Sequence, residues 1–250
     1  MNRKLTATLA AKLLAMADDE LILGHRLSEW TGHAPILEED IAFANIAQDE
    51  IGHAVIWYTI RQELVNESPD QLAFFRDAAD YQNAQLVELP KGDWAFSMLR
   101  QYLFDTFEML NLTQLQQSSY QPISEAAAKM RPEELYHYRH THAWMKRLGL
   151  GTDESNQRSQ DALEQLWPYM AQLFAPLPNE ALLVEVGFVP DLDELYQAWS
   201  HLVFPFLKEI GLFLPTSSHP TPSRSEHTPH LQILLTDMQE VARLEPEATW

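Results

Sequence analysis

Two tetrapeptides, Glu50-Ile51-Gly52-His53 and Glu134-Leu135-Tyr136-His137, decide how this chain is read. Both are Glu-x-x-His, and both sit in stretches whose apolar residues recur with helical spacing. On a helix, side chains three apart share a face about one turn from each other, so each Glu and its His can serve one centre. A single such motif carries little weight. Two copies on alternate helices carry more, and each also follows an acid on the helix before it. The interval from Glu20 to Glu50 is one residue longer than that from Asp105 to Glu134. Each half of the pattern therefore reads acid, turn, Glu-x-x-His. In an antiparallel hairpin, nearly equal arms bring such residues to the same height.

Helical punctuation supports this. Leu5 to about Trp30 forms a first helix, stopped by Thr31-Gly32-His33-Ala34-Pro35, and a second runs from near Glu38 to Val65. Residues 69–92 are mixed, with a short helix near Gln71–Phe75 and an extended look to Gln85-Leu86-Val87-Glu88-Leu89-Pro90. A third helix is expected from about Asp93 to Ser119 and a fourth from Ser124 to Leu148, with Pro132 marking a kink or a new first turn. Flanking helices follow Thr152-Asp153-Glu154 and Asp191-Leu192-Asp193-Glu194. A polar loop over 214–229 precedes a last helix near Leu231–Leu244. The expected fold is all-α and ferritin-like: a single domain over 1–250, its core bundle at about 5–148 and its flanking elements at 152–250.

That fold takes one carboxylate from each of two helices and a Glu-x-x-His from each of the other two. Glu20, Glu50, His53, Asp105, Glu134 and His137 meet the demand, with Glu108 one turn beyond Asp105 as its replacement. Four carboxylates and two imidazoles suit iron, or manganese in its place, better than tetrahedral zinc. Without metal, four clustered carboxylates would repel one another and take up protons. Plainer readings stand beside this one. Glu20 follows Asp18 and Asp19 and fits a solvated acidic turn, while Glu50 follows Asp49 and fits surface charge. His53, near Trp57 and Tyr58, fits a core histidine. His137 lies in a run of aromatic and titratable residues, and the remaining histidines read as surface or structural.

Composition narrows the function classes. A net charge of −19 disfavours nucleic acid and anionic membranes as partners. No cysteine is present, which suits the cytoplasm and excludes a thiolate site. Asn2-Arg3-Lys4 before an Ala/Leu stretch ending at Ala15-Met16-Ala17 has the outline of a signal peptide. Lys12 interrupts it, however, and the helical pattern runs on through the cleavage position. No stretch approaches the roughly 18 apolar residues of a membrane span.

The segment Arg26-Leu27-Ser28-Glu29-Trp30-Thr31-Gly32-His33-Ala34-Pro35, with Glu38 and Asp40-Ile41-Ala42-Phe43-Ala44-Asn45-Ile46, resembles the C-type subunit of the bacterial phenylacetyl-CoA 1,2-epoxidase. Similar stretches are Phe74-Phe75-Arg76-Asp77, Arg100-Gln101-Tyr102, Trp144-Met145-Lys146-Arg147-Leu148-Gly149 and His227-Thr228-Pro229-His230-Leu231. The resemblance implies a role in phenylacetate catabolism within a multicomponent monooxygenase. In that scheme a catalytic di-iron A-type subunit epoxidises the ring, a reductase supplies electrons, and the C-type subunit pairs with the catalytic one; the sequence leaves open whether the oligomer is a homo- or a hetero-oligomer. The C-type subunit of that scheme is structural, its ligands largely lost. This sequence departs from that pattern by keeping an acid or a histidine at all six ligand positions. Two readings follow: a non-catalytic partner without cofactor, or a subunit with a di-iron centre of its own. A stand-alone di-iron oxygenase or oxidase, or an iron-storage protein, would use the same ligands.

Overall fold

The computed structural model describes residues 1–216, 220–246 and 248, and among them no residue lies in a strand. The all-α, ferritin-like class expected is the one found. The chain forms two compact units, Met1–Pro90 with Pro222–Trp250, and Lys91–Thr221.

The first unit is built on α1 (Arg3–Ser28) and α2 (Leu37–Val65). Asn2 caps α1 by accepting the Leu5 N–H through its side chain. Ala15-Met16-Ala17 lies buried in the middle of this unbroken helix. The turn after it depends on Gly32, which has φ +78° and donates its N–H to the Asp40 carboxylate. The pair is antiparallel. Arg61 near the end of α2 reaches the Ala10 carbonyl early in α1, Tyr58 reaches Asp18, and Gly24 lies against Ala47 and Glu50. A Cβ on Gly24 would come within 3.0 Å of the Ala47 carbonyl oxygen, so the glycine allows α2 to lie close at this height.

Short helices α3 (Pro69–Phe74) and α4 (Gln85–Glu88) follow. The extended reading of 85–90 is thus corrected over Gln85–Glu88. Tertiary polar anchors override the local pattern: the Ala84 N–H is taken by Asp19, and the Glu88 side chain is claimed by the closing segment of the chain.

The second unit is built on α5 (Trp94–Leu115) and α6 (Gln121–Gly149). Arg131 bonds Thr113, Thr141 bonds Asp105, and Trp144 meets Trp94 edge to face, which again makes an antiparallel hairpin. Pro122 lies in the first turn of α6, and Pro132 lies inside the helix without ending it or opening a new one. Pro132 and Ala128, whose carbonyl loses its N–H donor to the ring, are both exposed, so water can serve that carbonyl. From Ala95 to Met109 every residue of α5 is buried. A helix buried all round needs cover, and α7 (Asp153–Met170) and α9 (Leu192–Glu209) supply it. Trp199 of α9 also donates its indole N–H to the Leu103 carbonyl. The five-residue α8 (Ala181–Glu185) completes this unit.

The last helix, α10 (Pro229–Leu244), packs on α3 and α4 within the first unit. Residues 217–219 of the expected polar loop lie outside the described residues. The plainer alternative, a solvated acidic turn at 18–20, does not hold, since all three carboxylates are buried. Asp18 accepts from Tyr58, from both terminal nitrogens of Arg76 and from the Gln82 N–H. Asp19 accepts from Arg224 at 2.7 Å through both oxygens. Glu88 is held by Asn83, His227 and both the N–H and hydroxyl of Thr228. His227 faces two acceptors, the Glu88 carboxylate at 2.6 Å and the Tyr81 carbonyl at 2.9 Å. Only the imidazolium can donate to both. Burial opposes that charge, but the hydrogen bond and charge of Glu88 outweigh it, and the His227 pKa is raised.

Removing Asp18 strands the buried Arg76 charge, so Asp18→Ala should cost about 3–5 kcal/mol in urea unfolding. Arg76→Met with Asp18→Leu together should cost clearly less than that single change. The His227 pKa lies higher folded than unfolded, so its contribution is complete below the unfolded value of 6.5 and is lost as pH rises through the raised value. Amide exchange over 224–235, corrected for intrinsic rate, should speed up across that rise, and His227→Gln should remove the step.

Candidate metal centre

In the first unit, the antiparallel pairing sets Glu20 of α1 at the height of Glu50 and His53 of α2. All three side chains are buried. Each offers one ligand atom such that these atoms lie within 4.8 Å of one another. His53 Nδ1 stands 3.8 Å from Glu20 Oε2, beyond hydrogen-bond range but close enough for both to bind one ion.

In the second unit, Asp105 of α5 and Glu134 and His137 of α6 are all buried as well. Asp105 Oδ1 accepts from Gln101 Nε2 at 2.6 Å, and Oδ2 accepts from the Thr141 hydroxyl at 2.7 Å. His137 Nδ1 lies 3.0 Å from Glu134 Oε1. Asp105 and His137 also present ligand atoms within 4.8 Å of each other. Glu108 is buried, and its Oε2 accepts from Asn111 on its own helix. Among the described residues, the acid and histidine groups compact enough for an ion contain Asp105 and not Glu108.

Burial raises the Asp105 pKa most, the nearby Glu134 charge raises it further, and His137, Thr141 and Gln101 offset only part. The carboxyl is pushed up to about 8. All six acids and histidines named from the sequence are therefore buried, in two triads of matched composition. Gln101 and Thr141 were not anticipated. Their signal was available: Gln101 precedes Asp105 by one helical turn and Thr141 follows His137 by one, on the same faces. Among the other histidines, His142 stacks on Phe206 at 3.9 Å, His140 stacks on Tyr136, and His227 binds Glu88.

The raised Asp105 pKa has a sign that can be measured. In metal-free protein the folded state holds this proton more tightly than the unfolded chain, so stability is complete below about pH 4 and is lost as pH rises towards 8. Thermal unfolding of chelator-treated protein should show a Tm that falls across this window, and Asp105→Asn should flatten the fall.

Comparison with known proteins identifies the family. The family model described as phenylacetic acid catabolic protein matches residues 1–250. The chain is 37% identical to the C-type subunit of 1,2-phenylacetyl-CoA epoxidase from Escherichia coli K12 over 245 residues, which is 97% of this chain and 99% of that protein. It is 26% identical to the A-type subunit of the same epoxidase over 192 residues, 74% of this chain and 62% of that one. With a match running from end to end, the chain belongs to the phenylacetic acid catabolic protein family.

Proposed function

We propose that this chain is a C-type subunit of a cytoplasmic oxygenase complex that epoxidises phenylacetyl-CoA, paired with a catalytic A-type subunit. The observation that carries this reading is the end-to-end likeness to a C-type subunit, stronger and more complete than the likeness to an A-type one. In keeping with it, none of the described helices is long and apolar enough to cross a membrane.

The chain is further proposed to act as one ferritin-like domain, in which the two triads together are the ligands of one two-metal centre. The donor chemistry supports the fit. Four carboxylates and two imidazoles on helical hairpins are the set that di-iron and di-manganese proteins use. When bound, such a metal pair supplies the activation of dioxygen for insertion into an aromatic ring. The chain's own contribution is to hold the donors. Gly24 brings α2 against α1 beside Glu20, and Gln101 and Thr141 fix the plane of the Asp105 carboxylate so that a lone pair of each oxygen is left for an ion.

One observation favours a second reading, a non-catalytic partner. In the second unit Asp105, Glu134 and His137 already have hydrogen-bond partners within the protein, so this triad can persist without metal.

Metal analysis after expression in iron-supplemented medium separates the two. A two-metal centre predicts about two irons per chain, lost in Glu50→Ala and in His137→Ala. Less than about one iron per several chains, with both variants leaving absorbance and stability unchanged, leaves the subunit role and removes the metal centre. Reconstitution tests the subunit role: epoxidation of phenylacetyl-CoA by the A-type subunit of the same source with a reductase should depend on this chain.

A further inference from the structure

The outer face of α2 is apolar for most of its length. Leu37, Ile41, Ala44, Ile51 and Val55, with Gln48 among them, recur at alternating spacings of three and four, the period of a coiled-coil seam. Leu37 is 70% exposed, Ile41 54% and Val55 51%. Ile36, just before the helix, is exposed too, and α2 has no side-chain cap there. Scattered exposed apolar residues need no explanation, but a row of them along one helix does.

Gly52 lies on the same face. Mid-helix glycine weakens a helix, and Gly24 repays that weakness through its close contact with α2. Gly52 has no such return inside the chain: a Cβ there would meet nothing within 4 Å. A glycine on an exposed seam instead lets another backbone come close.

Charge decides between occupants. Glu38, Asp49 and Glu63 run down one edge of the seam, and Asp40 stands on the other. The one basic residue of α2, Arg61, is turned away to the Ala10 carbonyl and to Glu67. A second copy of this face would set acid against acid within a chain already at −19. A helix with an apolar stripe edged by Lys and Arg fits both the seam and its rim.

We propose that this face of α2 is the docking seam for a helix of the A-type subunit, a helix with a basic rim that crosses α2 at Gly52. The assignment rests on the subunit reading above and adds the surface and its chemistry.

The test is co-expression of this chain with the A-type subunit of the same source, followed by size-exclusion chromatography with light scattering and titration of the separated chains. Wild type should pair, and Ile41→Glu and Val55→Glu should each weaken pairing by at least about tenfold, the loss typical of a buried hot-spot side chain. Affinity should fall as salt rises, and Glu38→Lys should weaken it further. Gly52→Ala separates docking from folding: it should raise the Tm of the isolated chain, as a helix gains from Ala, while weakening the complex. Wild-type affinity in all four variants would overturn the seam and leave the subunit reading standing. Failure of wild type to pair at all would overturn both. A homodimer of this chain that Ile41→Glu dissolves would assign the face to a second copy and overturn the charge assignment.

Discussion

The constraint on which this structure depends is the cost of burying carboxylates. Asp18, Asp19, Glu20, Glu50, Glu88, Asp105, Glu108 and Glu134 all lie inside helical packing. An isolated charge moved from water into such an interior is untenable, so each must find a cation, a set of hydrogen-bond donors, a proton or a metal. The answers differ along one turn of α1. Asp18 takes a guanidinium, a phenol and a backbone N–H, Asp19 takes Arg224, and Glu20 faces His53. Three consecutive acids thus serve three neighbours: the segment between α3 and α4 together with Tyr58, the closing segment, and the candidate centre.

This is why part of the molecule was legible in the sequence and part was not. Helix placement, the antiparallel hairpins and the six candidate ligands follow from local periodicity and from the near-equal intervals Glu20 to Glu50 and Asp105 to Glu134. The fates of Asp18, Asp19 and Glu88 follow from partners far along the chain. No local pattern ties residue 19 to 224 or 88 to 227, so an acidic run that folds into the core reads as a solvated turn. The same reason explains Gln85–Glu88, which is helical because distant residues bind its ends. Pro132 does not end α6, and the carbonyl that it leaves without a donor lies at an exposed residue, open to solvent.

Each triad combines an acid on one helix with a Glu-x-x-His on the next. In the second unit Gln101 and Thr141 fix the Asp105 carboxylate, and His137 already meets Glu134. In the first, His53 Nδ1 stands 3.8 Å from Glu20 Oε2. A scaffold needs such groups only to be mutually satisfied, whereas a metal site needs lone pairs left to give.

The closing segment has a consequence for how the protein is made. Arg224, His227 and Thr228 complete the charge balance of Asp19 and Glu88, yet they are synthesised after the entire second unit. That second unit is continuous in sequence and can fold as it emerges from the ribosome. The first unit must wait for the last tenth or so of the chain, with two buried-to-be carboxylates still in water. Order of synthesis and order of completion are therefore reversed: the hairpin made first is finished last.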